Sequence, residues 1–125
     1  MSAAVPGAAL RSLAARLLAG LSEGSPDLRE AALLSADGSQ LASTDGGDWS
    51  AEAAALWRAT DAAGGGVGGT GASPDQVHVA TSDGDVFSVR DAEAVVVATS
   101  DRFALASLML CDLRAVLRGL HRGGG

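Results

Sequence analysis

The chain has 125 residues, of which 47% are hydrophobic and 19% charged, so it is long enough for one domain with its own core, which excludes general disorder. A formal net charge of −6 works against phosphate backbones and anionic membrane surfaces, so neither a nucleic-acid partner nor membrane insertion is expected. The single cysteine, Cys111, excludes an internal disulfide and fits a reducing compartment.

Lys, Asn, Ile and Tyr are absent, while Ala, Gly, Leu, Val, Asp and Arg abound. That skew matches the coding bias of a GC-rich genome, so Ala-rich and Gly-rich stretches carry little meaning by themselves. Aromatic side chains are confined to Trp49, Trp57, Phe87 and Phe103.

Residues 1–7 read as a mobile lead-in, residues 8–121 as a single domain and residues 122–125 as a disordered tail. From Ala8 to about Leu21, Leu10, Leu13, Leu17 and Leu21 form one helical stripe, widened by Ala14 and Leu18. Arg11 and Arg16 interrupt the stretch and no basic segment precedes it, so it reads as neither a signal peptide nor a membrane span. The cytoplasm is the expected compartment.

Arg29–Ser35 and Ser39–Ser43 flank Ala36-Asp37-Gly38, an Asp-Gly turn between apolar runs and hence a β-hairpin. Its second strand is short and polar enough for a sheet edge. Asp48 or Ser50 is placed to cap a second helix that ends near Ala63, with Ala53, Leu56, Trp57 and Thr60 along one side. That face is mostly alanine, so the helix needs a surface to pack on. Gly64–Pro74 reads as a Gly-rich loop.

Three short β-branched runs follow: Gln76–Thr81, Val86–Val89 and Val95–Thr99, separated by the tight turns 82–85 and 91–93. No crossover helix fits between them, so they form an antiparallel meander. Val95–Ala98 does not alternate, which predicts a central strand covered on both faces. Ser100 or Asp101 is placed to cap a last helix over Arg102–Leu120. Phe103, Leu105, Ala106, Met109, Leu110, Leu113, Val116, Leu117 and Leu120 make its apolar arc, opposite Ser107, Cys111, Arg114 and Arg118. The predicted class is α+β: a five-stranded, mostly antiparallel sheet flanked by three helices in the order α-β-β-α-β-β-β-α.

Two catalytic-looking patterns fail on context. Gly66-Val67-Gly68-Gly69-Thr70-Gly71 satisfies G-x-G-x-x-G, but a helix precedes it and a strand follows, the reverse of a dinucleotide site. Gly20-Leu21-Ser22-Glu23-Gly24 satisfies G-x-S-x-G, but Ser22 falls where a helix ends and not on a strand-to-helix elbow. His78, His121 and Cys111 have no ligand-like spacing. Cys111 reads as an inert thiol, with Arg114 one turn away as the one feature that favours reactivity. No catalytic, cofactor-binding or metal-ligating residue is therefore assigned. His78 faces opposite to Val77 and Val79, as either a solvated sheet histidine or a subunit contact.

The hairpin REAALLSADGSQLAST and the closing stretch AVVVATSDRFALASLMLCDLRAVLRGL resemble the roadblock/dynein light-chain family. The first has that family's opening strand pair around an Asp-Gly turn, and the second its last strand running into a long Leu/Arg-patterned helix. The similarity spans about residues 8 to 121 and implies a roadblock-like layered sandwich. It also implies a homodimer joined through third strands, with the contact made by Gln76, Val77, His78, Val79, Ala80 and Thr81 and by Leu56, Trp57 and Thr60 packing nearby. Bacterial members typically bind small Ras-like GTPases, as activators or as scaffolds, so the resemblance implies a non-enzymatic GTPase regulator. The alternative reading is a small-ligand sensor of similar α+β shape.

Overall fold

Leu33 and Leu34 follow one another and both are buried, as are Val96, Val97 and Ala98. Successive side chains on a strand point to opposite faces, so such runs need a covering layer on each side. The computed structural model, which describes residues 4–63, 75–102 and 104–124, supplies both layers. In chain order its elements are α1 (Ala4–Gly24), β1 (Leu28–Ser35), β2 (Gln40–Ser43), α2 (Ser50–Ala62), β3 (Asp75–Thr81), β4 (Gly84–Arg90), β5 (Ala94–Ser100) and α3 (Ala106–Gly124). The strands form one sheet ordered β2-β1-β5-β4-β3, and every neighbouring pair is antiparallel. The non-alternating strand β5 lies at the centre, while β2 and β3 are the edges.

On one face, Leu33, Phe87, Val89 and Val96 belong to the same core as Leu18 of α1 and Met109, Leu113 and Leu117 of α3. On the other face, Ala32, Leu34 and Val97 meet Ala53 of α2, with Trp49, Val86 and Val95 packed at the margin. The two layers are unequal because α1 and α3 carry leucine stripes, whereas α2 presents mostly alanine. Helices α1 and α3 approach closely where α3 lacks side chains: a Cβ on Gly119 would lie 2.7 Å from Leu17 Cδ2, and one on Gly123 2.5 Å from Leu13 Cδ2.

The turns follow their residues. Gly38 adopts φ 93°, and Asp37 accepts hydrogen bonds from the Ser39 amide at 2.9 Å, the Ser39 hydroxyl at 2.7 Å and the Ser35 hydroxyl. The Ser35 hydrogen bond, followed by those from Ser39, holds the Asp37 carboxyl down at about 2. Gly84 opens β4 with φ 152°, where a Cβ would sit 2.3 Å from the Ser100 carbonyl oxygen. No other residue fits there without moving the central strand.

Helix boundaries differ from expectation at three points. Helix α1 begins at Ala4, ahead of the expected Ala8, with Pro6 in its first turn, where backbone N–H groups lack intrahelical partners anyway. Helix α3 begins at Ala106, not Arg102, so Ser100 and Asp101 do not cap it. The reason is that β5 continues to Ser100, which pairs with Leu28 and Asp85, while Asp101 accepts a hydrogen bond from Arg29 Nε at 2.7 Å. Leu105 therefore precedes the helix and is 64% exposed, outside the buried arc expected for it. At its other end α3 runs past Leu120 to Gly124. The expected Gly-rich loop 64–74, with its G-x-G-x-x-G pattern, and Phe103 lie outside the described residues.

His121 fastens the end of α3 to the β4–β5 turn: its Nε2 is 2.6 Å from Asp91 Oδ2 and its Nδ1 3.1 Å from Glu93 Oε1. The Asp91 hydrogen bond is the main reason that the imidazole pKa is raised. Burial pushes the Asp91 carboxyl up, but hydrogen bonds from His121 and from the Glu93 and Ala94 amides outweigh it, and the net shift is downward.

The core and this fastening are both testable. Leu113 is fully buried, so Leu113→Ala is expected to cost about 2–5 kcal/mol in a denaturant melt; a midpoint equal to the parent's would remove α3 from the core. Because His121 is raised above its unfolded value, its contribution is complete below about pH 6.5 and is lost as pH rises through the folded value. His121→Gln should therefore lower stability most near about pH 5 to 6, by about 1 kcal/mol or less for so open a pair, and converge with the parent in alkaline buffer. A difference that grows above neutrality would contradict this sign.

Candidate functional site: the β3 edge and the groove beside α2

Strand β3 has one neighbour, β4, so its other side presents N–H and C=O groups with no partner strand among the described residues. Its side chains alternate between the faces. Asp75, Val77 and Val79 lie on the α2 side, opposite Arg90, Ser88 and Val86, while Gln76, His78 and Ala80 lie on the α1/α3 side, opposite Val89, Phe87 and Asp85. Gln76 is exposed and accepts a hydrogen bond from Arg114 of α3. His78 stacks on Phe87 with ring centroids 4.3 Å apart, and its Nε2 lies 3.0 Å from Asp85 Oδ2. Val79 is 39% exposed, and Ala80 and Thr81 are exposed as well, Thr81 donating to the Gly84 carbonyl at 2.6 Å.

The three α2 residues fare differently. Trp57 is buried, and its Nε1 donates to the Ser88 hydroxyl at 2.9 Å, which in turn donates to the Val96 carbonyl at 2.7 Å. Arg90 lies over the indole ring at 4.1 Å and reaches Asp61 at 2.6 and 3.1 Å and Asp75 at 3.1 Å. The Asp61 hydrogen bond is the main cause of the raised Arg90 pKa and of the lowered Asp61 pKa. A single slot between Ser88 and Arg90 thus holds α2 to the sheet and ties β3 to it through Asp75. Thr60 is half-buried, with its hydroxyl on the Leu56 carbonyl of its own helix at 2.8 Å. Leu56 faces a groove.

That groove, of about 540 Å³, runs between the first half of α2 and the strands beneath it. Val79, Val86, Val97 and Thr99 form its floor, Trp49 and Leu56 its wall, and Asp45, Asp48 and Glu52 its rim. The structure therefore places Val79 and Leu56 in one groove of a single protomer, and adds a carboxylate cluster that motif reading missed. Glu30 pairs with Thr99 and so points to the same face. Its acid is raised chiefly by a hydrogen bond with Asp45, whereas Asp45 is held at about 2, first by the Gly47 amide and then by the Glu30 and Trp49 side chains. Asp48 accepts from the Ser50 amide at 3.0 Å and hydroxyl at 2.7 Å, which orders the entry to α2 and lowers its own pKa, while Trp49 occupies the cap position without a side-chain cap. Among the described residues no three His, Cys, Asp or Glu side chains are placed to hold a metal ion, and no helix is long and apolar enough to cross a membrane.

Two helices on one face of a five-stranded antiparallel sheet and one on the other, in this chain order, match the layered α+β fold of roadblock/LC7 domains. The chain resembles a Roadblock/LC7 domain from Streptomyces avermitilis, with TM-score 0.67 and 22% identity over 86% of this chain and 93% of that one. It also resembles MglB in a tetrameric arrangement, with TM-score 0.72 and 16% identity over 93% of this chain and 90% of that one. The gliding protein MglB from Thermus thermophilus gives TM-score 0.66 and 17% identity over 93% and 91%. No protein-family model matches the sequence, and no curated protein matches it. At these identities the likeness establishes the fold.

The Trp57 slot is testable. Trp57→Phe removes the indole donor but keeps a ring under Arg90, and is expected to cost about 1 kcal/mol; Trp57→Ala should cost about 3–5 kcal/mol. Equal thermal midpoints for both variants and the parent would show that α2 is held by something else.

Proposed function

We propose that this chain is a non-catalytic, homodimeric regulator or scaffold that binds a small Ras-like GTPase in the bacterial cytoplasm, with residues 8–121 as the working domain. The observation that carries the reading is the roadblock/LC7 fold itself, presenting an open β3 edge with α2 beside it. The fold likeness to MglB and the sequence resemblance to a family whose bacterial members bind such GTPases support the same partner class. A seven-residue edge strand with no second neighbour among the described residues is a template for another strand, and a second copy supplies one. Antiparallel self-pairing about His78 would set Gln76 opposite Ala80 and Val77 opposite Val79 of the second copy. In this dimer Leu56 and Thr60 of α2 border the joint, and Trp57 serves by fixing α2 in place.

The second reading, a small-ligand sensor, draws on the groove, whose volume of about 540 Å³ falls among small-molecule clefts. Its open, carboxylate-rimmed form favours a macromolecular partner.

Co-purification with the host's Ras-like GTPase in either nucleotide state, together with GTP turnover measured with and without this protein, tests the proposal. Binding with turnover raised marks an activator and binding with turnover unchanged a scaffold, whereas no binding in either state refutes both. Light scattering at micromolar concentration should give twice the 12.3 kDa chain mass, and a clean monomer would refute self-pairing through β3.

A further inference from the structure

On the other side of the sheet, α1 and α3 run antiparallel: Leu13 and Leu17 meet Gly123 and Gly119, while Ser25, just past α1, meets Asp112. Towards the end of α1 and the start of α3 the two helices leave an open seam. A cavity of about 320 Å³ lies beside Leu17, Leu21 and Val116, and a smaller one of about 50 Å³ beside Pro26, Leu105 and Leu108; Gly24, Ser25 and Asp112 line both. A Cβ added to Gly20 or Gly24 would meet nothing within 4 Å, so the space beside α1 is empty. The lining comes from α1, α3 and the turns at their ends, and none of it from β3 or α2, so a joint through β3 does not close the seam.

Two features of the seam are unusual for a solvated surface. Leu105 and Leu108 are large apolar side chains left exposed, at 64% and 57%. The Leu105 carbonyl accepts from the Met109 amide at 3.0 Å, which sets Leu105 at the head of α3 and Leu108 within one turn of it on the same side. The other feature is a carboxylate in apolar surroundings. Buried Ser25 donates to Asp112 Oδ2 at 2.9 Å and holds the side chain where the two cavities meet, while Oδ1 has no hydrogen bond among the described residues and is not buried. Asp27 adds a second carboxylate at the Leu105 end. The positively charged lining residue, Arg16, stands about 13 Å back along α1 from Ser25, beyond the roughly 8 Å Debye length at physiological salt. Leu108 and Asp112 are one turn apart on α3, and so are Leu21 and Ser25 at the end of α1, so apolar and anionic sites succeed each other along the seam at about 6 Å, the pitch of a helix.

We propose that the α1/α3 seam docks an amphipathic helix of a partner protein, whose central arginine or lysine meets Asp112 and whose apolar side chains one turn to either side seat on Leu105 and Leu108 and on Leu17 and Leu21. Charge complementarity selects this occupant. The Asp112 carboxylate is already positioned by Ser25, so a guanidinium or ammonium pairs with it at little ordering cost, and the apolar walls on both sides shield the pair from water. A groove between two helices takes a third by laying its apolar ridge into the seam. This face is one that the GTPase-regulator reading does not use, and the proposal stands apart from that reading.

The test uses the purified full chain and two fluorescein-labelled synthetic helical peptides with leucines one turn to either side of a central residue, arginine in one and glutamate in the other. Fluorescence anisotropy should show the arginine peptide binding at least about ten-fold more tightly than the glutamate peptide, and more weakly as salt rises. Asp112→Asn keeps an acceptor for Ser25 but removes the charge, and Leu108→Ser removes exposed apolar surface. Each should weaken the arginine peptide at least about ten-fold at an unchanged melting temperature, whereas Asp83→Lys on the β3–β4 turn should leave it unchanged. If Asp112→Asn lowers the melting temperature, Leu108→Ser and the peptide pair decide. Asp112→Lys should reverse the preference towards the glutamate peptide. No binding of the arginine peptide, equal binding of the two, indifference to Asp112→Asn or Leu108→Ser, or an equal loss with Asp83→Lys would overturn the proposal. A Leu108→Ser chain that scatters light as a smaller assembly than the parent would overturn it too, because a second copy would then be the occupant. These measurements contain no GTPase, so failure of the GTPase reading leaves their outcome intact.

Discussion

The structure depends on the burial of both faces of β1 and β5. These strands have no polar side: Ala31 to Leu34 and Val96 to Ala98 are covered throughout. A sheet centred on them must carry helices on both sides, and the chain supplies unequal ones. Helices α1 and α3 bring leucines and two well-placed glycines, and they close one face with a continuous core. Helix α2 brings alanines and one tryptophan, and closes only part of the other.

The inequality shapes the candidate surface. An alanine face buries little area, so the attachment of α2 is concentrated in Trp57, whose indole is held by Ser88 below and Arg90 above. Within one protomer the remainder of that face forms the groove over Val79, Val86 and Val97, next to the β3 edge, which has no second neighbour among the described residues. A thin second layer thus leaves an apolar floor and a strand edge side by side, and the β2–α2 segment lines them with carboxylates. The same thin layer that makes α2 marginal alone leaves its surroundings uncovered within one protomer.

Much of this is legible from residue patterns. The Asp37-Gly38 turn, the meander, the central position of Val95–Ala98 and the leucine arc of α3 all rest on local periodicity and turn chemistry, which neighbours in sequence control. The edge position of β3 is also readable, and with it the exposure of Val79. The family resemblance sets Trp57 near a second chain, and within one protomer its side chain is already buried. Nothing local announces that Ser88, a small residue thirty-one positions away, lies directly beneath the ring and leaves room for it. The start of α3 is misread for a similar reason: Ser100 looks like a cap in isolation, but Leu28 and Asp85 claim it for the sheet.

The carboxylate rim is the least legible feature, since Glu30, Asp45, Asp48 and Glu52 come from a strand, a loop and a helix with no motif joining them. Sequence alone determined the fold class, the order of elements and the two-sided burial of the centre, because hydrophobic periodicity and turn residues act over a few positions. Tertiary structure alone decided which side chains share a face across the sheet, where α2 is anchored and that its open flank is acidic. These depend on strand register, such as Glu30 opposite Thr99, and register is settled only when distant segments pack against one another.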